Sequence, residues 1–96
     1  MPMATRLGDV CSGHGCFPPR PSVAGSPNVL VNNIPIVRVG DMYAPHGCPN
    51  CPPHSAPLSV GSSTVLVNNM PAGRKGDVIS CGSTAKACST NVSIGG

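Results

Sequence analysis

The sequence contains no Trp and no Glu, and only one Phe and one Tyr among its 96 residues. A hydrophobic core must therefore be built from Val, Ile, Leu and Ala, and such a core is thin in so short a chain. Twelve Gly and twelve Pro leave no uninterrupted stretch longer than residues 83–94. Because Gly and Pro destabilise helix interiors, these interruptions exclude a helix bundle. We expect a single domain over residues 1–96 with no extension.

The sequence also lacks long apolar runs. None resembles the core of a signal peptide, and none reaches the roughly eighteen residues that a membrane span needs. We therefore expect a protein made in the cytoplasm without a signal peptide. In that reducing compartment, six Cys and three His favour metal binding over disulfides. The net charge of +3 comes from scattered basic residues without interleaved aromatic rings, so we do not expect nucleic acid to be a partner.

An internal repeat organises the chain. Residues 25–41 (GSPNVLVNNIPIVRVGD) and residues 61–77 (GSSTVLVNNMPAGRKGD) are identical at 11 of 17 positions. A third copy is divided between the two ends of the chain, with RLGD at residues 6–9 and NVSIGG at residues 91–96. Since the ends complete each other's unit, we expect a closed pseudo-threefold object in which the N- and C-terminal segments pair side by side.

Each repeat unit has the pattern of a β-hairpin. In the first complete unit, apolar residues alternate over residues 29–31, and Asn32-Asn33 tolerates the positive φ of a tight turn. The expected fold is therefore all-β, a small pseudo-threefold cone of β-hairpins. Its predicted core is formed by six β-branched residues: Val29, Val31, Val65, Val67, Val92 and Ile94.

The three acidic residues of the chain, Asp9, Asp41 and Asp77, occupy the same place in the three units. Each follows a Gly and lies three residues after an Arg. This setting is typical of a turn in which the carboxylate accepts backbone N–H groups or pairs with the Arg. We therefore expect a structural role for these residues and no catalytic one.

Candidate metal ligands follow the three Gly-Asp pairs. His14 and His46 lie five residues after their Asp, and Cys81 lies four residues after its own. Three such ligands around the pseudo-threefold axis need one more to complete a tetrahedral zinc site. His54 is the remaining His, and Cys48 or Cys51 of the sequence CPNC is the alternative fourth ligand.

A closed four-ligand site is of the structural kind, and such a metal would contribute folding free energy. The absence of Glu argues against a zinc hydrolase or deaminase, so we do not expect an enzyme. Cys16 and Cys48 are equivalent in the repeat and are expected near the metal with Cys51, where a disulfide is an open alternative. Two further thiols, Cys11 and Cys88, are expected to be small buried hydrophobes or unused.

The segments Pro71-Ala72-Gly73-Arg74 and Pro35-Ile36-Val37-Arg38, the Gly-Asp after each Arg, and the Val-x-Val-Asn strands resemble the PAAR-repeat family over nearly the whole chain. The resemblance implies a pseudo-threefold β-cone with one structural zinc near its apex. The ligands it implies are His14, His46, His54 and Cys81. It further implies a flat base that caps the trimeric β-helical spike of a type VI secretion system or a contractile phage tail.

From this resemblance we expect a structural spike tip that sharpens the spike for membrane puncture. It would bind as one tip per spike trimer, carry effector proteins noncovalently, and contact the target membrane transiently. Its location would be outside the cell after delivery on the spike, or the tail tip of a virion. Met3 departs from the family pattern, since the other units have Pro35 and Pro71 there. The alternatives are a secreted, disulfide-rich binding or toxin domain and a small zinc enzyme.

Overall fold

The computed structural model of the chain describes residues 2–48 and 51–95, with the backbone alone for residues 48, 51 and 52. In these residues the secondary structure is all-β, in short strands: β1 (Leu30–Val31), β2 (Ile34–Pro35), β3 (His46–Cys48), β4 (Cys51–His54), β5 (Leu66–Val67) and β6 (Met70–Pro71). The described part of the chain has no helix long and apolar enough to cross a membrane. The molecule is elongated, with extents of 39 × 23 × 23 Å.

The antiparallel hairpins β1–β2 and β5–β6 are the two complete repeat units predicted from the sequence, and they share one structure. Leu30 pairs with Pro35 in the first hairpin, and Leu66 pairs with Pro71 in the second. Both turns consist of two Asn residues with φ between 53° and 66°. These left-handed conformations define a two-residue turn whose twist matches that of the flanking strands. The hairpin prediction is therefore confirmed for both complete units.

The two ends of the chain form the third hairpin. Met3 pairs with Ser93 in the register that joins Leu30 to Pro35. The N–H of Ala4 donates to the carbonyl of Val92 at 2.8 Å. The third copy of the unit is thus assembled from both ends, and the predicted closure by the N- and C-terminal segments is confirmed.

A cycle of hydrogen bonds joins the three units. The Val37 N–H donates to the Thr5 carbonyl at 3.0 Å, the Gly73 N–H to Val37 at 2.7 Å, and the Thr5 N–H to Gly73 at 3.2 Å. A Cβ at Gly73 would lie 2.7 Å from a methyl carbon of Leu58. The same Cβ would lie 2.8 Å from the Val37 carbonyl oxygen, and because that backbone atom is fixed in the cycle, Gly is required at residue 73.

The first apolar cluster lies among the hairpins. Its buried members are Ala4, Val31, Ile36, Val67 and Ala72, and Val65, Val92 and Ile94 pack against them. Five of the six predicted core residues are therefore in contact with this cluster. The prediction for Val29 is wrong, because its side chain is 38% exposed. Its repeat equivalent, Val65, packs against the cluster although it also precedes its strand, so the two hairpins differ at this position.

A second apolar cluster fills the space between the hairpins and the loops. It consists of Cys11, Val37, Tyr43, Ala56, Leu58 and Ile79. Cys11 is 1% exposed, which confirms that it is a small buried hydrophobe, whereas Cys88 is half-buried. Burial raises the pKa of Tyr43 to about 12, so this residue packs as a neutral phenol.

The three Arg and Asp pairs make the same turn in each unit. In the first complete unit, Asp41 Oδ2 accepts from the backbone N–H of Arg38 at 2.8 Å and from its Nε at 3.0 Å. A second guanidinium nitrogen of Arg38 reaches Oδ1 at 3.0 Å. Gly40 supplies the positive φ of 97° that the turn needs. The structure therefore gives these carboxylates the predicted structural role.

We expect Asp41→Asn to lower the free energy of unfolding by about 1–3 kcal/mol, because it removes a charge from a nearly buried ion pair. Asp9→Asn is the matched control, since its ion pair is more exposed, with 19% and 14% side-chain exposure against 12% and 8% for Arg38 and Asp41. Urea denaturation of both variants measures the difference. An equal or larger loss in Asp9→Asn would contradict the argument from burial.

Candidate metal centre

The structure brings together all four of the ligands proposed from the sequence. The ligand atoms of His14, His46, His54 and Cys81 all lie within 4.8 Å of one another. His46 and His54 are cross-strand partners in the β3–β4 hairpin. Three loops extend from the hairpins, at residues 10–21, 42–57 and 78–84 in chain order. The second of them, which is the longest, therefore presents two imidazoles side by side.

Tight turns present the other two ligands. His14 and Phe17 exchange backbone hydrogen bonds of 3.0 and 2.8 Å across a two-residue turn. Cys81 lies in a turn closed by the Gly82 N–H and the Ile79 carbonyl at 2.9 Å. It also packs against the second apolar cluster, which fixes the end of its loop to the body of the domain.

The ring nitrogens converge in a way that suits a metal ion. His54 Nε2 lies 3.1 Å from His14 Nε2 and 2.9 Å from His46 Nε2. One ring nitrogen has either a single proton or a single lone pair, so it cannot form good hydrogen bonds with both neighbours. Two nitrogens bound to the same tetrahedral zinc are about 3.3 Å apart. The donor set therefore fits a zinc ion, with Cys81 as the fourth ligand.

A hydrogen bond orients His46 within this group. Its Nδ1 lies 2.7 Å from the carbonyl oxygen of Pro18. A carbonyl only accepts, so Nδ1 carries the proton, and in the neutral imidazole Nε2 has the free lone pair. Such a partner behind a ligating imidazole fixes its tautomer and strengthens it as a ligand.

The environment of His54 favours its neutral form. Desolvation lowers the pKa of His54, and the neighbouring His46 and His14 lower it further because they oppose a second positive charge. Metal ions bind neutral imidazole. The crowding of three imidazoles therefore keeps His54 in its ligating state.

Phe17 is the residue of this site that the sequence analysis missed. Its ring centroid lies 4.7 Å from that of His14, 5.1 Å from His46 and 4.4 Å from His54. The available signal was that the one Phe of the chain stands three residues after a candidate ligand. That spacing alone does not show that the ring would reach two His residues of another loop.

The remaining cysteines divide into two groups. Cys16 is disulfide-bonded, while Cys11, Cys81 and Cys88 are free thiols. The side chains of Cys48 and Cys51, the alternative fourth ligands, lie outside the described residues. Within the described part of the chain, His54 is the residue that completes the group.

Comparison of the sequence with models of protein families identifies the family to which a chain with this fold and site belongs. The family model for the PAAR motif matches residues 12–87, and the chain belongs to this family. The family is a structural one, associated with the spike tips of type VI secretion and related contractile systems. No curated protein sequence matches the chain.

The lowered pKa of His54 predicts a pH dependence for the metal-free protein. Between that pKa and the ordinary value of 6.5, the unfolded chain binds more protons than the folded one, so the free energy of unfolding falls as the pH falls. We expect urea denaturation with a chelator present to show this loss below about pH 6.5. The His54→Gln variant should show a smaller loss, and an undiminished loss would contradict the assignment to His54.

Proposed function

We propose that the chain caps the blunt end of a trimeric β-helical spike and that a zinc ion in the His14, His46, His54 and Cys81 site fastens its apex. The observation that carries this proposal is the closed ring of three hairpin units, one of them made from both chain ends. A single chain with internal threefold symmetry can meet three identical subunits with three similar surfaces. The spike would belong to a type VI secretion system or a contractile phage tail.

Exposed leucines indicate the docking surface. The side chains of Leu30 and Leu66 are 54% and 62% exposed and occupy equivalent positions in their hairpins. The third unit has Ser93 at this position. Exposed apolar side chains at equivalent positions of a pseudo-threefold molecule suit contact with equivalent subunits of a symmetric partner.

The backbone of the same residues is suited to pairing with another strand. Leu30 lies opposite Pro35, which has no N–H, and the Ile36 N–H donates to the Val29 carbonyl. In this antiparallel geometry the N–H and carbonyl of Leu30 point away from β2. Each complete hairpin thus offers an outer edge, and an edge of this kind can continue the strands of a spike.

A zinc ion, when bound, would act as a Lewis acid that is coordinated by side chains of all three loops and so links the loops together. His14 and Cys81 would hold it from the first and third loops, and His46 and His54 from the second. The four side chains would leave no open coordination position for a substrate. The tip would then resist fraying when the spike is driven through a membrane, and its sides would carry effector proteins out of the cell.

Neither rival class is supported by the structure. A secreted domain held by three disulfides would use all six cysteines, whereas Cys11, Cys81 and Cys88 are free. A small zinc enzyme needs a carboxylate free to move protons. The chain has three acidic residues, and each of them is paired with an Arg.

The capping proposal predicts a complex of one chain per spike trimer. We expect native mass spectrometry of the chain with the trimeric spike protein of its own apparatus to give this ratio. Leu30→Asp with Leu66→Asp should weaken binding at least about tenfold, because apolar contact is replaced by buried charge. Val23→Asp is the control, since this residue is also exposed, at 57%, but lies outside the hairpins. Three chains per trimer, or no complex, would contradict the proposal.

The metal part of the proposal is tested separately. Protein purified without added metal should contain one zinc per chain, and chelation should lower its melting temperature by several degrees or more, because the binding free energy is lost from the folded state. Cys81→Ser should lower zinc content, whereas Cys88→Ser, which alters a half-buried thiol outside the candidate ligand set, should not. A zinc-free protein whose melting temperature is unchanged by chelator would contradict it.

A further inference from the structure

The role of Phe17 depends on the proposed metal site. Three imidazoles lie against its side chain, with ring centroids 4.4 to 5.1 Å away. These separations are in the range of favourable aromatic pairs. One phenyl ring is therefore shared by all three of the candidate His ligands.

The ring connects two loops that are otherwise separate in the sequence. His14 belongs to the same turn as Phe17, through the pair of backbone hydrogen bonds between them. His46 and His54 belong to the β3–β4 hairpin. The contacts of Phe17 with both of these residues therefore hold the hairpin against the first loop.

The next residue strengthens this connection. The Pro18 carbonyl accepts the Nδ1 proton of His46 at 2.7 Å, while the ring of Phe17 lies 5.1 Å from the same imidazole. His46 is thus held by a hydrogen bond at Nδ1 and by a tilted aromatic contact with Phe17, whose ring plane makes an angle of 38° with that of the imidazole. Rotation of the imidazole about its Cβ–Cγ bond would break the hydrogen bond to Pro18.

We propose that Phe17 is the positioning residue of the metal centre. Its ring sets the planes of the three imidazoles before any ion binds, so that the Nε2 atoms already converge in the metal-free protein. A site assembled in advance binds its metal without the entropic cost of ordering three rotatable side chains. Residues that orient metal ligands in this manner typically change affinity by about 10–100-fold when they are replaced.

The test compares Phe17→Leu with Phe17→Tyr. Leu keeps an apolar side chain without a planar ring, and Tyr keeps the ring. We expect competition with a chromophoric zinc chelator to show about 10–100-fold weaker binding for Phe17→Leu and binding within about threefold of the wild type for Phe17→Tyr. Zinc release by the Leu variant should be faster by a similar factor. Wild-type affinity and release rate in a folded Phe17→Leu protein would overturn the proposal.

A second measurement separates this inference from the metal proposal itself. In the metal-free protein, NMR of the imidazole protons should show single, well-dispersed ring environments for the wild type and exchange broadening for Phe17→Leu. Because this measurement uses metal-free protein, its result does not depend on whether the wild type binds zinc as proposed. An imidazole spectrum that is the same in Phe17→Leu as in the wild type would overturn the positioning role. Hydrogen exchange of the backbone amides of Val31 and Val67, in the first apolar cluster, should be the same in the variant as in the wild type. This result would exclude general unfolding. If Phe17→Leu does not fold, Phe17→Met takes its place in both measurements.

Discussion

Closure of the ring by the two chain ends is the constraint on which the rest of the structure depends. Each unit donates a central backbone hydrogen bond to another, in a cycle through Thr5, Val37 and Gly73. Without the pairing of Met3 with Ser93, one unit would have no return strand and its neighbours would have open edges. The loops extend from this ring, so the convergence of the metal ligands follows from its closure.

Buried polar groups supplement the thin core. Three serines, Ser26, Ser62 and Ser89, are at most 2% exposed, and each hydroxyl oxygen accepts the N–H groups two and three residues later. Each hydroxyl also donates to a hairpin end of another unit, at Asn68, Gly95 and Asn32 respectively. A satisfied network of this kind is directional, whereas contacts among small apolar side chains are not. The serine network therefore fixes how the units are oriented around the ring.

The structural features that recur in each repeat unit could be predicted from the sequence. The hairpins, the Asn turns, the Arg and Asp pairs and the split third unit were all visible as matched residues. The four candidate ligands were found because three of them follow the repeat. The serine network was not predicted, and the third copy is so short and divided that its alignment did not extend to Ser89. The exposure of Val29 could not be predicted from the repeat, because the equivalent Val65 packs against the core. The ring contacts of Phe17 could not be predicted either, because they depend on where separate loops meet in space.

The hairpins at the base have threefold symmetry, whereas the metal site at the apex needs an arrangement that is not threefold. A tetrahedral ion needs four ligands, whereas three equivalent loops supply three. The structure resolves this through unequal loop lengths: residues 10–21, 42–57 and 78–84 form the three loops, and the longest turns back on itself to supply two ligands. The hairpins remain alike in their pairing, although the third is made of both chain ends and has Ser93 and Met3 where the others have Leu and Pro. On a threefold spike, the three possible orientations of this base would differ only in which subunit meets the third hairpin, because the asymmetry needed for metal binding lies in the loops.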